Sequence, residues 1–298
     1  MKKIAAVGIV IISCVLVWYL FFKKGDYIYQ FKEKASTGTL YYSISNWEKT
    51  SDDVETQTLD SVLYKQLTQK LTYKDEEYVL FWDLENLNDS ISKVSVGVKK
   101  PGESLYNRLT APFSKTAFKQ EAIAFLTEFK TVLFKNLSTF KVNIEGRSVS
   151  PEKSCACVNA VASPDRKAAQ MMRNYNYISN FIVRHDLQAD GYPMVIINNF
   201  DKEVDRIDMD FCFPIKGVTS LPESKDIYFR GISAEPSLKG IFNGNYMYSH
   251  HSWFSLFDYA ENHDIQLKTK IVEQFHNNPN LGGDALKWKT EVYIPLVE

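Results

Sequence analysis

Cysteine is scarce in this chain, and so is any excess of charge of one sign. Four cysteines in 298 residues are too few for a scaffold built on disulfides. Lysine and arginine number 35 against 36 aspartates and glutamates, a formal net charge of −1. Proteins that grip nucleic acid through its phosphates carry a basic excess, so no nucleic-acid partner is expected. The chain has no Walker loop, no Gly-x-Gly-x-x-Gly and no His-Glu-x-x-His, so no cofactor and no metal are expected. What it does hold is apolar material. Its 45% hydrophobic and 14% aromatic residues exclude a disordered polymer. At ~150 residues per domain they fill about two cores.

One long apolar run is present. Residues 4–22 carry no charge and lie between two lysine pairs, Lys2 with Lys3 and Lys23 with Lys24. A single helix at ~1.5 Å per residue would match a hydrocarbon core of ~30 Å, with Trp18 and Tyr19 at the interface. A cleaved signal is the rival reading, but bulky residues stand at 18–22 where small ones should mark the cut. Ile11, Ile12, Ser13 and Cys14 resemble a lipoprotein box, yet the apolar run continues past Cys14. The sequence therefore predicts a membrane anchor over residues 1–25, with a transmembrane helix over about 4–22. Lysines at both ends nearly balance the positive-inside rule. A short basic N-terminus ahead of a large body predicts a single-pass protein of the bacterial inner membrane, its body on the non-cytoplasmic side.

Residues 26–145 read as one unit. Tyr27, Tyr29 and Phe31 alternate with other residues, as on a strand with one buried face. A short helix follows at 39–48, then strand-like runs fill 54–98. From Ser114 onward Phe118, Ala122, Phe125, Phe129, Leu133, Leu137 and Phe140 recur at spacings of three and four, the stripe of one long helix. This order resembles the SRPBCC, or START-like helix-grip, family. The resemblance implies a sheet wrapped around a helix, often enclosing an apolar cavity. A plain α+β domain with a packed core is the alternative.

After a polar break at 146–151, residues 147–298 carry a β-α-β-β string twice. The first copy has a strand at 154–162 and a helix opened by Ser163, Pro164 and Asp165. That helix buries Ala168, Met171, Met172, Tyr175, Ile178 and Ile182, and strands follow at 194–200 and 207–215. The second copy has a strand at 228–233, a helix at 246–262 and strands at 269–275 and 289–297. Residues 196–200 match 271–275, and 209–215 match 290–296. The whole is thus α+β, its second part a duplicated domain with a groove at a pseudo-twofold axis. The closing Trp288, Glu291, Tyr293 and Pro295, the pair Gly244 and Tyr246, and Phe213, Pro214 and Ile215 resemble the GyrI-like domain. This is the effector-binding domain of AraC-type and multidrug-responsive activators. The resemblance implies a glutamate at Glu291 facing a ligand and a cleft lined by Tyr246, with Trp288 and Tyr293 beside it. No helix–turn–helix pattern precedes the domain, so transcriptional control is not carried over.

Strand parity adds to this. Val292 and Ile294 point one way, Glu291 and Tyr293 the other; Met209, Phe211 and Phe213 oppose Asp210 and Cys212. If helices cover the apolar face, Asp210, Cys212, Glu291 and Tyr293 are exposed around the axis. An acid beside an aromatic ring suits a cationic or amphipathic organic molecule. The expected ligand residues are Glu291, Tyr293, Tyr246, Trp288 and Asp210, the last from the repeat alone. The plainer reading pairs Glu291 with Lys289 or an arginine. The function expected is that of a membrane-anchored small-molecule-binding protein, with no catalytic residue assigned. One alternative is a hydrolase of strained or ester electrophiles, in which Glu291, its pKa raised in an apolar groove, works with Asp210. The other is a protein-interaction scaffold at the envelope. Cys155 and Cys157 on one strand are ~6.5–7 Å apart, too far for an easy disulfide. With Cys212 they read as small buried thiols, and His250 and His251 as helix surface.

Overall fold

Helical hydrogen bonding along the apolar run changes pattern before the run ends. The structure is a computed structural model that describes residues 2–51 and 53–297; residues 1 and 298, at the ends of the expected first and last segments, lie outside the described residues. Helix α1 (Lys2–Val17) has 16 residues and passes into a π-helical turn, Trp18–Phe22. Sixteen residues rise ~24 Å, short of the ~30 Å of a hydrocarbon core. Among the described residues no helix is long and apolar enough to cross a membrane. The predicted transmembrane helix is corrected accordingly, and with it the membrane partner, the single-pass inner-membrane localisation and the orientation. The cause lies in the turn. Arg108 donates to the carbonyls of Leu20 at 2.6 Å and Lys23 at 2.7 Å, while the Lys23 amide donates to the Trp18 carbonyl at 3.0 Å. Asp26, itself buried, fixes the guanidinium at 2.9 Å.

The chain divides into two compact units, one ending at Lys135 and one beginning at Asn136. The first continues with β1 (Tyr27–Glu33), α2 (Thr37–Ser45), β2 (Val54–Val62), β3 (Gln66–Tyr73), β4 (Glu76–Asn88), β5 (Ile91–Lys99), α3 (Ser104–Thr110) and α4 (Ala117–Leu137). Its antiparallel sheet runs β1-β5-β4-β3-β2. The stripe of α4 buries Phe118, Ala122, Phe125, Leu126, Phe129 and Leu133. Phe129 lies 4.8 Å from Trp47 and 5.2 Å from Trp82, ring to ring, so aromatic side chains fill this core. Trp82 Nε1 donates to Gln69 at 3.0 Å, which satisfies the one polar side chain that β3 turns inward.

The second unit contains β6 (Phe140–Val149), β7 (Lys153–Ala162), α5 (Lys167–Arg184), β8 (Gln188–Ala189), β9 (Met194–Asp201), β10 (Arg206–Lys216), β11 (Tyr228–Ile232), β12 (Pro236–Gly244), α6 (His251–Asn262), β13 (Ile271–Phe275) and β14 (Lys289–Pro295). One antiparallel sheet runs β11-β7-β10-β9-β13-β14-β12-β6, with β8 on β10. The order is palindromic about the β9–β13 pair. Strands β7, β9 and β10 with α5 make one module; β12, β13 and β14 with α6 make the other. The second module therefore begins with β12, not with the expected strand at 228–233, which is β11 on the outer side of β7. A Cβ at Gly244 would lie 2.7 Å from Phe140 Cβ, so only glycine fits where β12 hands over to Tyr246.

Parity corrects one match within the repeat. Ile271 packs into the main core with Ile197 and Phe275, whereas Ile196 belongs to a smaller cluster on the other face with Cys212, Val272 and Tyr293. Matching 196–200 to 271–275 is therefore out of step, since a shift of one residue reverses every side chain. Cys157 and Cys212 face each other across β7 and β10 and form a disulfide, while Cys155 stays a free buried thiol. The reading of all three as thiols is corrected by that register. His250 and His251 are buried rather than surface residues; the His251 ring stacks on Phe140 at 4.8 Å.

Candidate functional site

The sheet separates the five expected ligand residues. Tyr246 and Trp288 pack on the face covered by α5 and α6. Asp210, Glu291 and Tyr293 lie on the other, and they are not the open rim that parity alone implied: Asp210 is 2% and Tyr293 5% exposed. Arg230 pairs with Asp210, and Asn159 donates to it at 2.9 Å. Lys239 lies over the Tyr293 ring at 5.5 Å. Asp210 faces Ile196, Ile196 faces Val272, and Val272 faces Tyr293. Three strand spacings, roughly 14 Å, therefore separate Asp210 from Tyr293.

Glu291 is an ion-pair carboxylate. Lys289 donates to Oε1 at 2.7 Å and Tyr293 to Oε2 at 2.9 Å; Lys239 and His276 stand at 3.4 Å. Burial alone would raise its pKa, but hydrogen bonds from Lys289 and Tyr293 and the charges of Lys239 and Lys289 bring it down to about 2. Burial and the same bond push Tyr293 up to about 12. A carboxyl ionised at neutral pH has no proton to give a leaving group. The raised pKa required by the hydrolase alternative is therefore not what surrounds Glu291.

A different carboxylate occupies the core. Glu273 on β13 is wholly buried, as are Lys167, Ser249 and Trp253 around it. Lys167 pairs with Glu273 Oε2, and Trp253 Nε1 donates to Oε1 at 2.9 Å. Lys167 Nζ also donates to Ser249 Oγ at 2.7 Å and lies 4.5 Å from the Trp253 ring and 5.9 Å from that of Phe275. Burial pushes the lysine's pKa down while Glu273 opposes the shift. Phe275 in turn meets Tyr246 at 4.7 Å, and Tyr246 meets Trp288 at 5.8 Å. The result is a dry cage of one carboxylate, one hydroxyl and two rings around an ammonium, continued by two further aromatic walls.

Local sequence builds it. Glu273 alternates with Ile271 and Phe275 and so shares their inward face. Lys167 opens α5 after the turn Pro164–Arg166, one helical step before Met171, and lies on the stripe of Met171, Ile178 and Ile182. Both signals are visible in the sequence; the expected stripe instead included Met172, which is exposed. Among the described residues no group of three or more metal-ligating side chains occurs.

No known protein family matches the chain, and no curated protein does. Solved structures give weak likenesses. The C-terminal domain of EcmrR superposes with a TM-score of 0.46 at 15% identity, over 53% of this chain and 98% of that one. EcmrR in its complex with DNA gives 0.45 at 14%, over 65% and 70%. A hydrolase encoded by lin2189 from Listeria innocua gives 0.35 at 13%, over 53% and 92%. All three likenesses are weak, at 15% identity or less. No ligand, DNA contact or reaction passes to this chain on that basis.

Proposed function

We propose that the second unit binds a small organic cation, whose ammonium enters the cage of Glu273, Trp253, Phe275 and Ser249 in place of Lys167 Nζ. The observation that carries this reading is the cage itself, which holds an ammonium entirely out of water. A desolvated ammonium over a ring gains ~2 kcal/mol, and the carboxylate supplies the larger attraction. Holding a lysine there costs up to ~2 kcal/mol of side-chain freedom, which a released Lys167 regains. An amphipathic amine also brings an apolar body to Tyr246 and Trp288. Asp210, Glu291 and Tyr293 keep structural ion pairs and hydrogen bonds in this reading, and no membrane anchor takes part.

Titration with protonated arylalkylamines, followed by tryptophan fluorescence and Tm, tests it. Glu273→Gln is expected to weaken binding at least tenfold and Glu291→Gln to leave it unchanged. Because Glu273→Gln strands a buried lysine, the double variant Lys167→Met, Glu273→Gln serves as the folded control, and Lys167→Met alone should bind more tightly. Equal affinity in the wild type and the double variant would remove the cage from the function.

A further inference from the structure

Thr290 is a polar residue on the helix-covered face whose hydroxyl the described residues leave unused. It is wholly buried, and among the described residues nothing hydrogen-bonds to its Oγ1. Its neighbours across β14 are Phe242 on one side and Phe275 on the other. Tyr246, whose ring lies on Phe275, cannot help it. The Tyr246 hydroxyl donates to the Asn277 carbonyl at 3.0 Å and accepts from the Asn277 amide at 2.9 Å. A buried hydroxyl without a partner is unfavourable, and valine of the same shape would avoid that cost at this strand position.

The position relates directly to the cage. Glu273 faces Val292 and Phe275 faces Thr290, so Thr290 is the diagonal neighbour of Glu273 on the same face. Diagonal pairs on adjacent strands lie ~7–8 Å apart. Both Glu273 oxygens already have donors, from Lys167 and Trp253. A ligand that replaces the Lys167 ammonium thus meets, on the residue diagonal to Glu273 and between Phe242 and Phe275, a buried hydroxyl without a partner.

Resting on the cage as the ligand site, we propose that Thr290 selects the ligand: an arylalkylamine bearing a hydroxyl or other hydrogen-bonding atom at its far end, which Oγ1 engages. Tyramine and 2-phenylethylamine differ only in that hydroxyl and make the matched test. With the full chain, the wild type should prefer tyramine by roughly 5- to 10-fold, the effect of one net hydrogen bond. Thr290→Val should bring the two amines to equal affinity and raise Tm, because a buried unpaired hydroxyl is lost. Lys167→Met, Glu273→Gln should weaken both amines together. No tyramine preference in the wild type, or a preference that survives Thr290→Val, overturns the role of Thr290 and leaves the cage standing. Failure of either amine to bind, or binding untouched by the double variant, overturns the cage and the selection with it.

Discussion

At Glu291, hydrogen bonds from Lys289 and Tyr293 and the charges of Lys239 and Lys289 hold a carboxyl near 2 that titrates at about 4.3 in an unfolded chain. Between those values the unfolded state binds more protons than the folded one, so stability rises with pH across that window. The contribution is complete above about 4.5 and lost as the pH falls toward 2. Lys289 is 41% exposed and screened by water, so a loss on the order of 1–2 kcal/mol is expected. Urea unfolding at pH 5 and pH 2.5 should show that loss in the wild type and a flatter response in Glu291→Gln. The pairing of Glu291 with Lys289 was legible, because residues two apart on a strand share a face. Glu273 is not legible from the expected match of 271–275 to 196–200, because that match is one residue out of step and turns Glu273 to the wrong face. The disulfide is illegible for a related reason. Cys157 and Cys212 meet only through the register of β7 with β10, which no spacing along one strand reveals.

Among the elements, strands and helices with strong alternation or a clear stripe were legible: β10, β14, α4 and most of α5. Strand β12 was not, because Pro236, Gly240 and Gly244 read as punctuation. In the fold the proline takes the first strand position, where it is tolerated, and Gly240 makes room for α6, since a Cβ there would sit 3.3 Å from Leu256. The apolar run at the N-terminus was legible as helix but not in its extent, which Arg108 sets from a residue 85 positions beyond Lys23. Removing that side chain deprives the buried Asp26 of its ion-pair partner, leaving only donors from Ser104 and the Lys100 amide, at a cost of ~3 kcal/mol. Arg108→Met should lower the urea midpoint accordingly. The carbonyls of Leu20 and Lys23 lose their donors at the same time, so trypsin should cut after Lys23 or Lys24 faster than in the wild type.

Across the described residues, two sheets of five and nine strands belong to two units, each with its own core. The second is symmetric in topology and asymmetric in covalent structure, because its one disulfide joins two strands of the first module. Closing a loop of 55 residues is worth about 4 kcal/mol in chain entropy. Reduction should lower the Tm of that unit by roughly 10 °C, and a Cys157→Ala, Cys212→Ala variant should reproduce the shift without reductant. The same bond also sets how the molecule responds to force. Drawn out from its two ends, the oxidised chain keeps the segment between Cys157 and Cys212 out of the stretched contour. At ~3.4 Å per residue that withholds roughly 190 Å of extension. A single-molecule pulling trace should recover this length in one added step once the bond is reduced.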